Sequence, residues 1–148
     1  MPLESQRRIL DASLIRRKHF PRPGETVWAD SFDSDTTPVY LPIDLGSNGT
    51  FSPESFGGFI SIMAAPNLGD GDTMLFTLQG SGNEQGPFED LAPSISTSVT
   101  GAGGLGSPAT ELTFGLPVPP PRYLVVKMQT VGTSDPSADG WLEFGLRL

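Results

Sequence analysis

The residues able to do covalent or proton chemistry are few. The chain has one histidine, His19, and no cysteine. Thiolate metal sites, disulfides and a Cys nucleophile are therefore excluded. His19 sits beside Phe20 and Pro21 in a basic stretch, and reads as an arm residue without a catalytic task. Carboxylate pairs are the remaining route to acid–base catalysis. Asp30, Asp33 and Asp35 cluster, and Glu89 adjoins Asp90. A glycosidase holds two carboxylates about 5–10 Å apart across a cleft. Nothing in this spacing places them so, and they read as surface acids. Asp70-Gly71-Asp72 is half of a calcium loop, but the apolar run after Thr73 supplies none of the further oxygen ligands, so it reads as a hairpin turn. Gly80 to Gly86 is Gly-rich, yet lacks the Lys-Ser/Thr of a phosphate loop and opens no helix. The expectation is no catalytic, metal-binding or nucleic-acid-binding residue, and no cofactor. Three aromatics remain as binding candidates: Trp28, Tyr123 and Trp141. Such rings stack on sugars and also populate protein interfaces, and sequence leaves both options open.

The elements that must carry these residues follow from composition. Eighteen Gly and 15 Pro in 148 residues rule out long helices for most of the chain, since Gly costs about 1 and Pro about 3 kcal/mol in a helix interior. One domain is the default at this length. Charge divides the chain. Residues 1–22 carry six cations against two acids, net +4; residues 23–148 carry three cations against fifteen acids, net −12. The acidic body repels phosphate. The basic segment suits nucleic acid, an anionic membrane or an acidic protein surface, with the protein surface preferred. No apolar run reaches the roughly 18 residues needed to cross a bilayer, and the start lacks the apolar core of a secretory signal. No membrane contact is expected.

Leu3, Leu10 and Leu14 share a helical face. Residues 3–18 are accordingly expected as a short helix, with an extended arm as the alternative, and Pro21 and Pro23 end it. From Gly24 onward the pattern becomes short β-type runs between turn residues. Strands are expected near 26–32, 38–45, 56–64, 73–80, 95–100, 111–116, 122–131 and 141–148. Met74, Phe76 and Leu78 alternate with Leu75, Thr77 and Gln79; the runs at 123–128 and 141–148 alternate likewise. One buried and one wetter face per strand follows. The expected fold is all-β: an antiparallel two-sheet, jelly-roll-like sandwich of about eight strands over 26–148, preceded by a basic arm over 1–25. The expected core is Phe76, Leu78, Leu124, Val126, Leu142, Phe144 and Leu146, with Tyr123 and Trp141 on non-core faces.

Ile43-Asp44-Leu45-Gly46, then Phe76-Thr77-Leu78-Gln79 and a polar loop, then Gly115-Leu116-Pro117 leading to Arg122-Tyr123-Leu124, then Thr130-Val131-Gly132-Thr133 and a closing strand Trp141 to Leu148 recur in one order. Over about 120 residues the chain thereby resembles the jelly-roll cement (decoration) proteins of tailed-bacteriophage heads. That family starts close to Trp28-Ala29-Asp30, so residues 1–25 look like an extension. The resemblance implies a structural, non-enzymatic protein on the outer capsid surface of the virion, assembled in the bacterial host cytoplasm. It would bind the major capsid protein across joints and brace the head against internal DNA pressure. It also implies a homo-oligomer, a dimer at two-fold positions or alternatively a trimer. The alternatives are a carbohydrate-binding or adhesive virion sandwich and, more distantly, a small enzyme. The arm is expected to lie away from its own sandwich and dock on a neighbouring subunit. Leu10, Leu14 and Ile15 would anchor it, and Arg7, Arg8, Arg16, Arg17 and Lys18 would face acidic side chains.

Overall fold

The computed structural model describes residues 14–30, 41–46, 57–91, 95–117 and 119–147. Among them the chain forms ten strands and no helix: β1 (Ile15–His19), β2 (Thr26–Ala29), β3 (Ile43–Asp44), β4 (Gly57–Ile62), β5 (Thr73–Ser81), β6 (Glu89–Asp90), β7 (Ser96–Thr100), β8 (Thr110–Gly115), β9 (Tyr123–Val131) and β10 (Trp141–Arg147). A four-stranded sheet runs β1-β10-β4-β8 and a six-stranded sheet runs β2-β9-β5-β6, with β3 also on β9 and β7 also on β5. All strand pairs are antiparallel. Short β2 and β3 share one strand position, as do β6 and β7, which leaves eight positions in a jelly-roll-like sandwich.

Period-two alternation decides which faces meet. Met74, Phe76 and Leu78 of β5, Leu124, Val126 and Met128 of β9, Ile60 and Ile62 of β4, and Leu142, Phe144 and Leu146 of β10 fill the space between the sheets. All seven side chains expected in the core are fully buried. The eight expected strands are all present, shortened where turn residues intrude; those parts of the 26–32, 38–45 and 56–64 runs and of Leu148 that fall on residues 31–40, 47–56 and 148 lie outside the described residues.

The expectation for the arm is corrected over residues 14–25. Ile15–His19 is a strand, not a helix, and it is an edge of the chain's own sandwich: Ile15 pairs Gly145 and His19 pairs Trp141. Leu14 and Phe20 are buried in the core cluster. The Phe20 amide donates to the Gly140 carbonyl at 3.2 Å, and the Thr130 hydroxyl donates to the Pro21 carbonyl at 3.1 Å. The physical reason is that this basic segment satisfies itself internally. Arg17 pairs directly with Glu143 at 2.7 Å across the β1–β10 ladder. Arg16, only 4% exposed, donates to the carbonyls of Leu41 at 2.6 Å, Ile15 at 2.8 Å and Pro42 at 3.2 Å. Arg7, Arg8 and Leu10 lie outside the described residues.

Candidate functional site

The outer face of the six-stranded sheet reads as rows across its strands, because residues in register share a face. One row is Thr26, Gln129, Leu75 and Ser98; the next is Trp28, Lys127, Thr77 and Ser96; a third is Val131, Thr73 and Thr100. Leu75 and Val131 sit on diagonal positions and are 40% and 51% exposed. Lys127 is the one charged residue in these three rows, on a chain of net charge −8. Depletion of charge around exposed apolar side chains is a feature of interface centres.

Beyond the second row the face becomes concave. Among the described residues, Trp28, Asp30, Glu84, Gln85 and Phe88 line a cleft of about 530 Å³. β2 supplies Trp28 and the residue after its end supplies Asp30, while the polar loop after β5 supplies the other three. The indole of Trp28 is held in place: its N–H donates to Gln79 Oε1 at 3.0 Å, and Gln79 Nε2 donates to Asp90 Oδ1 at 2.9 Å. The loop is held as well. The Asn83 amide donates to Ser81 Oγ at 3.0 Å, and the Gly86 amide to the Asn83 carbonyl at 3.1 Å.

Asp30 closes one side of this cleft and is itself largely buried. Burial pushes its carboxyl above the ordinary range, while Lys18, its own backbone amide and Arg16 pull it back. Burial also lowers the Arg16 guanidinium, and Asp30 opposes that shift. β1 therefore turns two cations inward at the sheet edge, where one carboxylate meets them.

The remaining candidates lie apart. Trp141 is on the other sheet, edge-on to His19 at 6.2 Å between centroids, with the Arg17 guanidinium 5.1 Å from its ring centre. Trp28 and Trp141 thus do not form one patch. Tyr123 faces away from the core as expected but is only 9% exposed, and the Arg122 guanidinium lies 5.0 Å from its ring centre. Arg122 is in turn paired with Asp44 at 3.0 Å. Tyr123 offers little ring to a partner, which corrects its reading as an interface aromatic. Ile15 is half-buried, and Leu14 and Arg16 are spent on the chain's own interior, so they are not free anchors.

Among the described residues no group of three or more His, Asp or Glu side chains is placed to hold a metal ion. The half calcium loop is put to another use. Asp72 Oδ2 accepts from the Ser134 hydroxyl at 2.5 Å, the Ser134 amide at 2.9 Å and the Thr133 amide at 3.2 Å. These bonds, the hydroxyl first, hold its carboxyl below the ordinary range. Asp70 Oδ1 accepts from the Gly104 amide at 2.7 Å. Both acids tie loops together. Glu84, Gln85 and Phe88 were not among the sequence candidates, because a loop has no periodicity to reveal which side chains converge.

No protein-family model, curated protein or solved structure matches this chain.

Proposed function

We propose that this chain is a structural cement protein, binding the outer surface of a tailed-phage head through the outer face of its six-stranded sheet. The single observation that carries the reading is the charge-poor face with exposed Leu75 and Val131 on an otherwise strongly acidic molecule. A face with a single charge loses little by desolvation when a protein covers it, whereas the acidic remainder keeps free copies apart in solution. The jelly-roll-like sandwich agrees with the fold that the sequence resemblance implies. The partner is the major capsid protein, and neighbouring copies touch, as a dimer at two-fold positions or as a trimer. Many copies on one particle turn modest affinity per site into a durable coat.

The test is to add the purified full chain to heads that lack it and sediment them. Saturable co-sedimentation in fixed ratio to the major capsid protein supports the reading. A chain that stays in the supernatant at every concentration refutes it.

A further inference from the structure

We infer that the cleft formed by Trp28, Asp30, Glu84, Gln85 and Phe88 is a binding site for a short neutral oligosaccharide. The cleft adjoins the proposed capsid-binding face and shares Trp28 with it, but it concerns a different ligand and stands or falls by a separate measurement. A volume of about 530 Å³ lies within the roughly 300–1,000 Å³ typical of small-ligand clefts. Two aromatic rings give flat apolar surface for the C–H faces of pyranose rings. Trp28 remains 39% exposed although its N–H is already satisfied by Gln79, so the side chain is pre-set and still partly open to solvent. Restraint before binding removes part of the ordering cost.

The polar groups fit hydroxyl donors. Ionised carboxylates only accept hydrogen bonds, and O–H···O⁻ bonds are among the stronger ones. Gln85 adds both a donor and an acceptor. Aromatics beside carboxylates also suit an organic cation, so the charge balance decides between the two. Asp30 already has counter-charges behind it in Lys18 and Arg16. Glu84 is exposed on its loop, where water and salt screen its charge. The buried acid of the cleft thus already faces cations of its own chain and the exposed one is screened by solvent, which favours a neutral polyol over a cation. The basic side chains compensating it do not line it among the described residues.

The experiment titrates the full chain with maltotriose, cellotriose and triacetylchitotriose. Arginine and tetramethylammonium chloride serve as cation probes. The readouts are tryptophan fluorescence and the indole N–H resonance of Trp28. At least one sugar is expected to shift the Trp28 resonance saturably at millimolar concentration. By isothermal titration calorimetry, which does not depend on the indole, Trp28→Ala and Glu84→Ala should each weaken sugar binding about tenfold or more, about 1.4 kcal/mol, whereas Trp141→Phe should leave it unchanged. Glu84 is exposed on a loop, so its variant tests the site without unfolding the protein. No response to any of the three sugars overturns the inference. So does saturable binding of the cation probes alone, or sugar binding that survives both cleft variants.

Discussion

Arg16 shows how much one side chain can decide. It is a charged residue turned inward at a sheet edge, and its guanidinium satisfies the carbonyls of Leu41 and Pro42. Arg16→Met keeps much of the volume and removes both donors. Leaving a buried acceptor unsatisfied costs roughly 1–3 kcal/mol, so this variant should lose stability of that order in urea unfolding. Arg17→Met should lose much less, because an exposed pair contributes about 0.2–1 kcal/mol. In the core, Phe76 and Phe144 are fully buried, and truncating either to Ala should cost about 3–5 kcal/mol. Asp72 gives a pH-dependent case. Its carboxyl is held below the ordinary value of 3.8, so its bonds to Thr133 and Ser134 stabilise the fold fully above that value. They are lost as pH falls through the folded value. The difference in melting temperature between the wild type and Asp72→Ala should be present at neutral pH and close in acid. A gap that persists or widens in acid would show that the ionised carboxylate is not what holds this loop.

At the scale of elements, β1 is the instructive strand. Its outward residues are Ile15, Arg17 and His19 and its inward ones Arg16 and Lys18, so the alternation is not one of hydrophobicity. Charges turned inward on an edge strand oppose pairing with another chain, and they also hide the strand from a hydrophobic-period reading. The place for β1 is made by Gly145 opposite Ile15. A Cβ at 145 would come within 2.5 Å of the Leu14 carbonyl oxygen and 3.0 Å of Ile15 Cγ1. Gly145→Val should therefore push β1 off β10. Amide hydrogen exchange is the suitable measurement: residues 15–19 should lose protection while the central β5 and β9 keep theirs. Equal protection of β1 in the variant would show that the ladder tolerates the side chain. By the same argument, removing residues 14–22 strips an edge strand and two core side chains, so that shortened chain should be less stable, not merely a weaker binder.

For the whole molecule, the uneven charge has a single consequence. The six-stranded sheet keeps a charge-poor outer face, while most acids among the described residues lie on loops, on short edge strands or on the other sheet. Val131→Asp and Leu75→Asp place a carboxylate on that face without touching the core. Exposed substitutions of this kind usually change stability by no more than about 0.5 kcal/mol. Both variants should melt like the wild type and bind heads at least about tenfold more weakly, a loss of about 1.4 kcal/mol or more, as for the minority of interface residues whose change matters. Undiminished binding of both would move the capsid contact to another surface.

Period-two alternation at 73–80, 122–131 and 141–148 was enough to specify a two-sheet sandwich and its buried side chains, because burial between sheets requires one apolar face per strand. Composition alone excluded cysteine chemistry, and long helices for most of the chain. What sequence did not decide is whatever depends on residues far apart in the chain. Asp30 meets Lys18 and Arg16, and Trp28 meets Gln79, only after β2 and β9 are laid beside β5 and the edge strand closes on β10. Leu14 likewise sits at helical spacing from Leu10, yet its neighbour Ile15 pairs with Gly145, 130 positions on. A short amphipathic segment has little helical stability of its own in water, so an open sheet edge with buried apolar surface beside it outweighed the local preference. The cleft and the placing of residues 14–22 were therefore set by tertiary packing, whose partners no local pattern names.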